Sequence, residues 1–148
     1  MSLVIGIDPG FTKPGGKKKA LGFALVQTDS GVLIWQHTYK GFDDFMADRA
    51  RPVCKRAVIQ VPIFDGKTPQ WNKSAISLVK NGNVSGQLVG YMAAVGAQVQ
   101  TVPPTRKSGM KMDPEFFKKV FKYDGRCSEH ARDAANLAMM WRDEICAR

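Results

Sequence analysis

The chain opens on apolar residues with no polar position among them, Leu3, Val4, Ile5 and Ile7 around Gly6, and the run stops on Asp8 before Pro9-Gly10. A run without alternation suits a strand covered on both faces, and Pro-Gly ends it. The pattern therefore predicts a buried strand that carries one carboxylate to its tip. Two more apolar runs follow, Ala20 to Val26 and, after the turn at Ser30-Gly31, Val32 to Tyr39. Together the three predict an antiparallel meander. Arg56 to Val61, bounded by Pro62, and Gln98 to Val102, stopped by Pro103-Pro104, predict two further strands.

Between the strands the apolar spacing changes to three and four. Phe42, Phe45, Met46 and Ala50, with Asp43, Asp44 and Asp48 opposite, predict a short amphipathic helix ended by Pro52. Residues 74–96 read as a helix interrupted at Asn81-Gly82-Asn83 and recapped by Ser85, with Gly86, Gly90, Ala93 and Ala94 packing close against a sheet. Asp113-Pro114 opens a helix through Tyr123, with Phe116, Phe117, Val120 and Phe121 inside and Lys118, Lys119 and Lys122 outside. The last helix begins near Ser128 and turns Ala134, Leu137, Ala138, Trp141 and Ile145 to the core. This order fits an α/β fold: a mixed sheet of about five strands, an antiparallel meander plus two parallel strands, flanked by helices. A chain of 148 residues, 44% hydrophobic, is expected to form one domain over 1–148.

Charge changes the picture. Twenty-two Lys and Arg against thirteen Asp and Glu give a formal net charge of +9, and a polyanion such as nucleic acid is the first partner to consider. The candidates for phosphate or base contact are Lys13, Lys17, Lys18 and Lys19 after the first strand, Trp71 and Lys73 after the fourth, and Arg106, Lys107 and Lys111 after the fifth. Each such cluster also suits a solvated loop. Cys54, Cys127 and Cys146 form no CxxC pair and are odd in number, which argues against a disulfide framework and a zinc site. No apolar run is long enough to span a bilayer and the N-terminus lacks a signal-peptide layout, so a soluble, cytoplasmic protein with no membrane partner is expected.

Candidate chemistry gathers at the two ends of the chain. Asp8 reads equally as a turn former and as an acid at the mouth of a site. His130 and Asp133, three apart, share a face near the start of the last helix. An acid in a first turn is ordinary dipole chemistry, so each is weak evidence alone. A strand-end acid combined with an acid and a histidine opening the terminal helix, in a basic chain, is much stronger evidence of a site. His37 has no ligand spacing and reads as structural.

At this point the chain resembles a family. Val4-Ile5-Gly6-Ile7-Asp8-Pro9-Gly10, Gly22-Phe23-Ala24, Ala57-Val58-Ile59-Gln60-Val61, the stretch from Gly86 to Ala94, and His130-Ala131-Arg132-Asp133-Ala134-Ala135-Asn136-Leu137-Ala138 are similar, in order, to the RuvC-type Holliday junction resolvases. The resemblance implies a ribonuclease H-like fold, a homodimer, and Mg²⁺-dependent paired incision of four-way DNA junctions. It implies Asp8 as the first-strand acid and His130 and Asp133 as the pair on the last helix. It also implies two hard cations, Mg²⁺ with Mn²⁺ as a substitute, roughly 4 Å apart, one generating hydroxide and the other stabilising the leaving oxygen. His130 is a ligand or a proton carrier in this reading.

Gln60 departs from the family, which has a glutamate at the end of this strand. One reading is an isosteric replacement that stops cleavage and keeps shape, as in an engineered inactive variant; the other is a natural protein that uses Gln60 as a neutral ligand or has lost activity. The first is preferred. The basic loop at 13–19 is longer than the family's turn, and with the short chain it suggests a phage-encoded or otherwise divergent member. The rival functions are a ribonuclease H-like nuclease acting on structured RNA, a protein that binds junctions without cutting, and, more remotely, a sugar-kinase-like phosphate-binding fold.

Overall fold

A computed structural model describes residues 3–10, 20–61, 75–102 and 113–141, and of residues 75–83 the backbone alone. Strands β1 (Leu3–Asp8), β2 (Leu21–Gln27) and β3 (Val32–Tyr39) form the expected meander, and β4 (Arg56–Gln60) and β5 (Gln98–Val102) the two parallel strands. The sheet order is β3-β2-β1-β4-β5. Helices α1 (Phe42–Ala47), α2 (Ala75–Ala94), α3 (Pro114–Phe121) and α4 (Glu129–Ala138) complete the described fold.

Strand side chains alternate between faces, and β1 is buried on both. Val4 points with Ala24, Val26 and Val58 to one core, closed by Phe117 and Phe121 of α3 and the alanines of α4. Ile5 and Ile7 point with Phe23, Leu25, Ala57 and Ile59 to the other, closed by Phe45 of α1 and Leu88 and Met92 of α2. Continuous apolar runs in β1, β2 and β4 follow from this double burial.

On the α4 face, the helix meets the sheet backbone to backbone. A Cβ on Gly6 would come within 1.7 Å of the Ala134 carbonyl oxygen, and one on Gly22 within 2.0 Å of that of His130. Ala131, Ala134, Ala135 and Ala138 are buried and small enough to keep the helix at that distance.

Several expectations from the pattern are corrected. Helix α1 stops at Ala47, not near Pro52, because extended Asp48 accepts the Tyr39 hydroxyl at 2.6 Å and the Ala50 N–H at 2.9 Å, which draws the chain out of the helix. Arg51 lies over the Phe45 ring at 3.9 Å and donates to the Phe45 carbonyl and the Tyr91 hydroxyl, fixing the same connection. Met46 and Ala50 are consequently exposed. Helix α2 runs without interruption, and Ser85 does not cap it. Its buried hydroxyl donates to the Gln60 carbonyl at 3.1 Å, tying the helix to the end of β4.

The small residues of α2 face away from the sheet: Gly86, Gly90, Ala93 and Ala94 are exposed, and Ser85, Leu88 and Met92 make the contact. Helix α3 is capped by Asp113, which accepts the Phe116 N–H, and ends at Phe121, where left-handed Lys122 turns the chain. Only Phe117 and Phe121, one turn apart and stacked at 4.5 Å, face the core, leaving Phe116 and Val120 exposed. A β-bulge in the β2–β3 register sends Leu33 to the α4 face and leaves Ile34 outside. Trp141 packs against the α4-side core, three residues beyond the end of α4; Ile145 lies outside the described residues.

Candidate functional site

Ile7 of β1 pairs with Ile59 of β4 in parallel register. One residue further along each strand stand Asp8 and Gln60, so the two occupy neighbouring strand ends. Alternation from Gly6 and Val58 puts both side chains on the α4 face. Both are buried, Asp8 to 4% exposure and Gln60 to 8%.

Asp8 is fixed from two directions. Its Oδ1 accepts the Gly10 N–H at 3.1 Å, closing a tight turn in which Gly10 has φ of 74°. A glycine is required there, both by that conformation and because a Cβ would meet the Ala20 carbonyl at 1.9 Å. Oδ2 faces Nδ1 of His130 at 3.4 Å. The turn-forming reading of Asp8 is realised on one oxygen, and the other faces His130.

His130 reaches Asp8 because α4 starts over the Asp8–Gly22 pair of the sheet. Ser128 caps the helix through the Ala131 N–H at 3.1 Å. The hydrogen bond with Asp8 raises the His130 pKa above the ordinary imidazole value; the charges of Asp8, Asp133 and Glu129 add to this, and burial opposes it. Asp133 follows one turn later, half-buried, and acts on His130 electrostatically. Its Oδ1 is buried and makes no hydrogen bond within the described structure.

These donors fit a hard cation in kind: carboxylate oxygens at Asp8 and Asp133 and an amide oxygen at Gln60. They are short in charge, because the side chain at the end of β4, Gln60, is a neutral amide. Among the described residues no group of three or more His, Cys, Asp and Glu lies close enough to hold a metal ion. Cys54 and Cys127 are free, and burial raises both thiols, that of Cys127 to about 11, so neither is a ready thiolate ligand.

The basic candidates Lys13, Lys17, Lys18, Lys19, Trp71, Lys73, Arg106, Lys107 and Lys111 lie outside the described residues. Their attachment points are nevertheless informative. β1, β4 and β5 run parallel, so segments 11–19, 62–74 and 103–112 all leave the sheet at the edge that holds Asp8 and Gln60. Acidic and basic residues balance over 3–10, 20–61, 84–102 and 113–141, and again over 142–148. The whole net charge of +9 therefore belongs to those three segments and Lys80.

Sequence reasoning missed Gly6, Gly22, Thr38 and Ser128 as parts of the site's frame. A glycine within a buried strand was a readable signal of close backbone approach. The hydroxyl contact between Thr38 and Ser128 had no sequence signal.

No protein-family model matches the chain, and no curated protein matches it in sequence. Among solved structures it is similar to T. thermophilus RuvC in complex with a Holliday junction substrate, at a TM-score of 0.62 and 15% identity, over 94% of this chain and 91% of that one. The five-stranded sheet in the order 3-2-1-4-5, with its helices on both faces, is the ribonuclease H-like fold that RuvC shares.

Proposed function

We propose that this protein binds four-way DNA junctions as a homodimer and cleaves them by paired, metal-dependent phosphodiester hydrolysis. The observation that carries this reading is a coincidence of place. Asp8 and His130 meet next to the strand end that carries Gln60, at the sheet edge where the segments bearing the excess positive charge attach, in a fold shared with a protein solved on a Holliday junction. Paired incision of a two-fold substrate needs two sites, hence two copies.

Asp8, Gln60, His130 and Asp133 would have to draw closer together than they stand here to hold Mg²⁺ or Mn²⁺, a pair of ions per site, which when bound would supply an activated water and neutralise charge on the phosphate. The protein's own groups do the rest. Gly10 aims the Asp8 carboxylate before substrate arrives. His130 holds a proton at Nδ1, against Asp8, to higher pH than a free imidazole. Lys13, Lys17, Lys18, Lys19, Lys73, Arg106, Lys107 and Lys111 neutralise phosphates along the arms, and Trp71 stacks on an unpaired base. Each phosphate contact contributes about 0.9 to the log–log salt slope of binding.

Gln60 favours a second reading, junction binding without cleavage, since it withholds one negative charge where cations would gather. The test is a labelled four-way DNA junction offered alongside duplex DNA and structured RNA, in Mg²⁺ and in chelator, to the protein, to Gln60→Glu and to Asp8→Asn. Preferred binding of the junction, with metal-dependent paired nicks that Asp8→Asn abolishes, supports the nuclease. Junction binding with no nicks, by the protein and by Gln60→Glu alike, favours the second reading, and a preference for RNA overturns both.

A further inference from the structure

Gly22 pairs with Asp8 on one side and with Thr38 on the other, so these residues form one row across β1, β2 and β3 at the site edge. The first turn of α4 lies along that row and touches it at each position. Thr38 Oγ1 shares a hydrogen bond with Oγ of Ser128, the residue that caps α4. The His130 carbonyl sits against Gly22, and the His130 ring reaches Asp8. A second row, Gln36, Ala24 and Gly6, repeats the design two residues further from the tip. Gln36 Nε2 donates to the Tyr123 hydroxyl at 3.1 Å and the Arg126 carbonyl at 2.9 Å, while the Ala134 carbonyl covers Gly6.

The glycine contacts set how close α4 comes, but they present no side chain to stop it rotating or sliding. A slip of one residue turns a helical side chain by about 100° and moves it about 1.5 Å. Such a slip would take the imidazole away from Asp8.

We infer that Thr38 is a positioning residue: through Ser128 it fixes the rotation of the first turn of α4 and so delivers His130 to Asp8. The inference deepens the proposed nuclease reading, on which only its activity measurement rests. Thr38→Val keeps shape and strand preference but removes the hydroxyl; Thr38→Ser restores it. Ser128→Gly removes the partner and leaves a residue that is well tolerated at a helix N-cap.

Nitrogen NMR of the His130 ring at fixed pH, in full-length metal-free protein, reads the contact directly. Thr38→Val and Ser128→Gly are expected to lose the Asp8-bonded Nδ1 signal and Thr38→Ser to keep it. On a junction, Thr38→Val in a cleaving background is expected to slow nicking by roughly tenfold to a hundredfold with little change in affinity, and to add nothing once His130→Asn is present. An unchanged His130 signal in the folded Val and Gly variants, or additive effects of Thr38→Val and His130→Asn, overturns the inference. Absence of nicking throughout defeats the nuclease reading and leaves the ring signal to decide the role of Thr38.

Discussion

The two faces of the sheet are packed in different ways. Against α2 and α1 the contact is made by large side chains, Ile5, Ile7, Phe23, Phe45, Leu88 and Met92, which can each give a little. Against α4 it is made by backbone on backbone at Gly6 and Gly22, with alanines between. The candidate site stands on the second face. A helix seated on bare strand backbone is held at one distance, and contacts at its start, such as that of Ser128 with Thr38, are left to set its rotation over the strand ends. A face of interlocking branched and aromatic side chains holds its helix tightly too, but tolerates small changes of volume.

The sharpest way to break this contrast is to add one methyl group to the bare face. Gly6→Ala drives a Cβ into the Ala134 carbonyl and should cost about 3 kcal/mol or prevent folding, measured by urea unfolding. On the other face, removing one methyl by Ile7→Val should cost only about 1 kcal/mol. A larger loss from Ile7→Val than from Gly6→Ala would reverse the assignment of the two faces. The same Gly-to-Ala change on the outer side of α2 should have the opposite sign. A Cβ on Gly86 meets nothing within 4 Å, so Gly86→Ala should stabilise by about 0.5–1 kcal/mol, read as a raised thermal midpoint.

The smallest expected effect concerns pH. His130 has a raised pKa in the folded protein, so its contribution to stability is full below the unfolded value of about 6.5 and is lost as pH rises through the folded value. His130→Asn should flatten the fall in urea midpoint as pH rises above about 6.5. An identical pH profile in the variant would mean that the contact with Asp8 does not persist in solution.

All five strands were legible because β1, β2 and β4 are apolar on both faces and Pro or Gly closes β1, β4 and β5. The helices were less so. Asn81-Gly82-Asn83 lowers local helix propensity, yet the helix continues, since Leu88 and Met92 anchor it and the Ser85 hydroxyl is engaged by Gln60. In α3, four apolar residues at near-helical spacing were assigned to the core, although an eight-residue helix on a sheet buries a narrower stripe. Close packing was expected at Gly86 and Gly90 and is found instead at Gly6 and Gly22, because composition shows a small residue without showing which partner approaches it.

Asp8 and His130 were readable as types and positions, and in the fold their side chains approach to 3.4 Å. What the sequence did not carry was the Thr38–Ser128 contact, which joins positions ninety residues apart.

The measurement that bears most directly on the site is the comparison of this chain with Gln60→Glu on a labelled four-way junction, with Mg²⁺ and with chelator. Both proteins are expected to bind with similar affinity, and Gln60→Glu to make paired, metal-dependent nicks at a rate well above that of the unaltered chain. Binding by both and nicking by neither would contradict the assignment of Asp8, Gln60, His130 and Asp133 as a hydrolytic site.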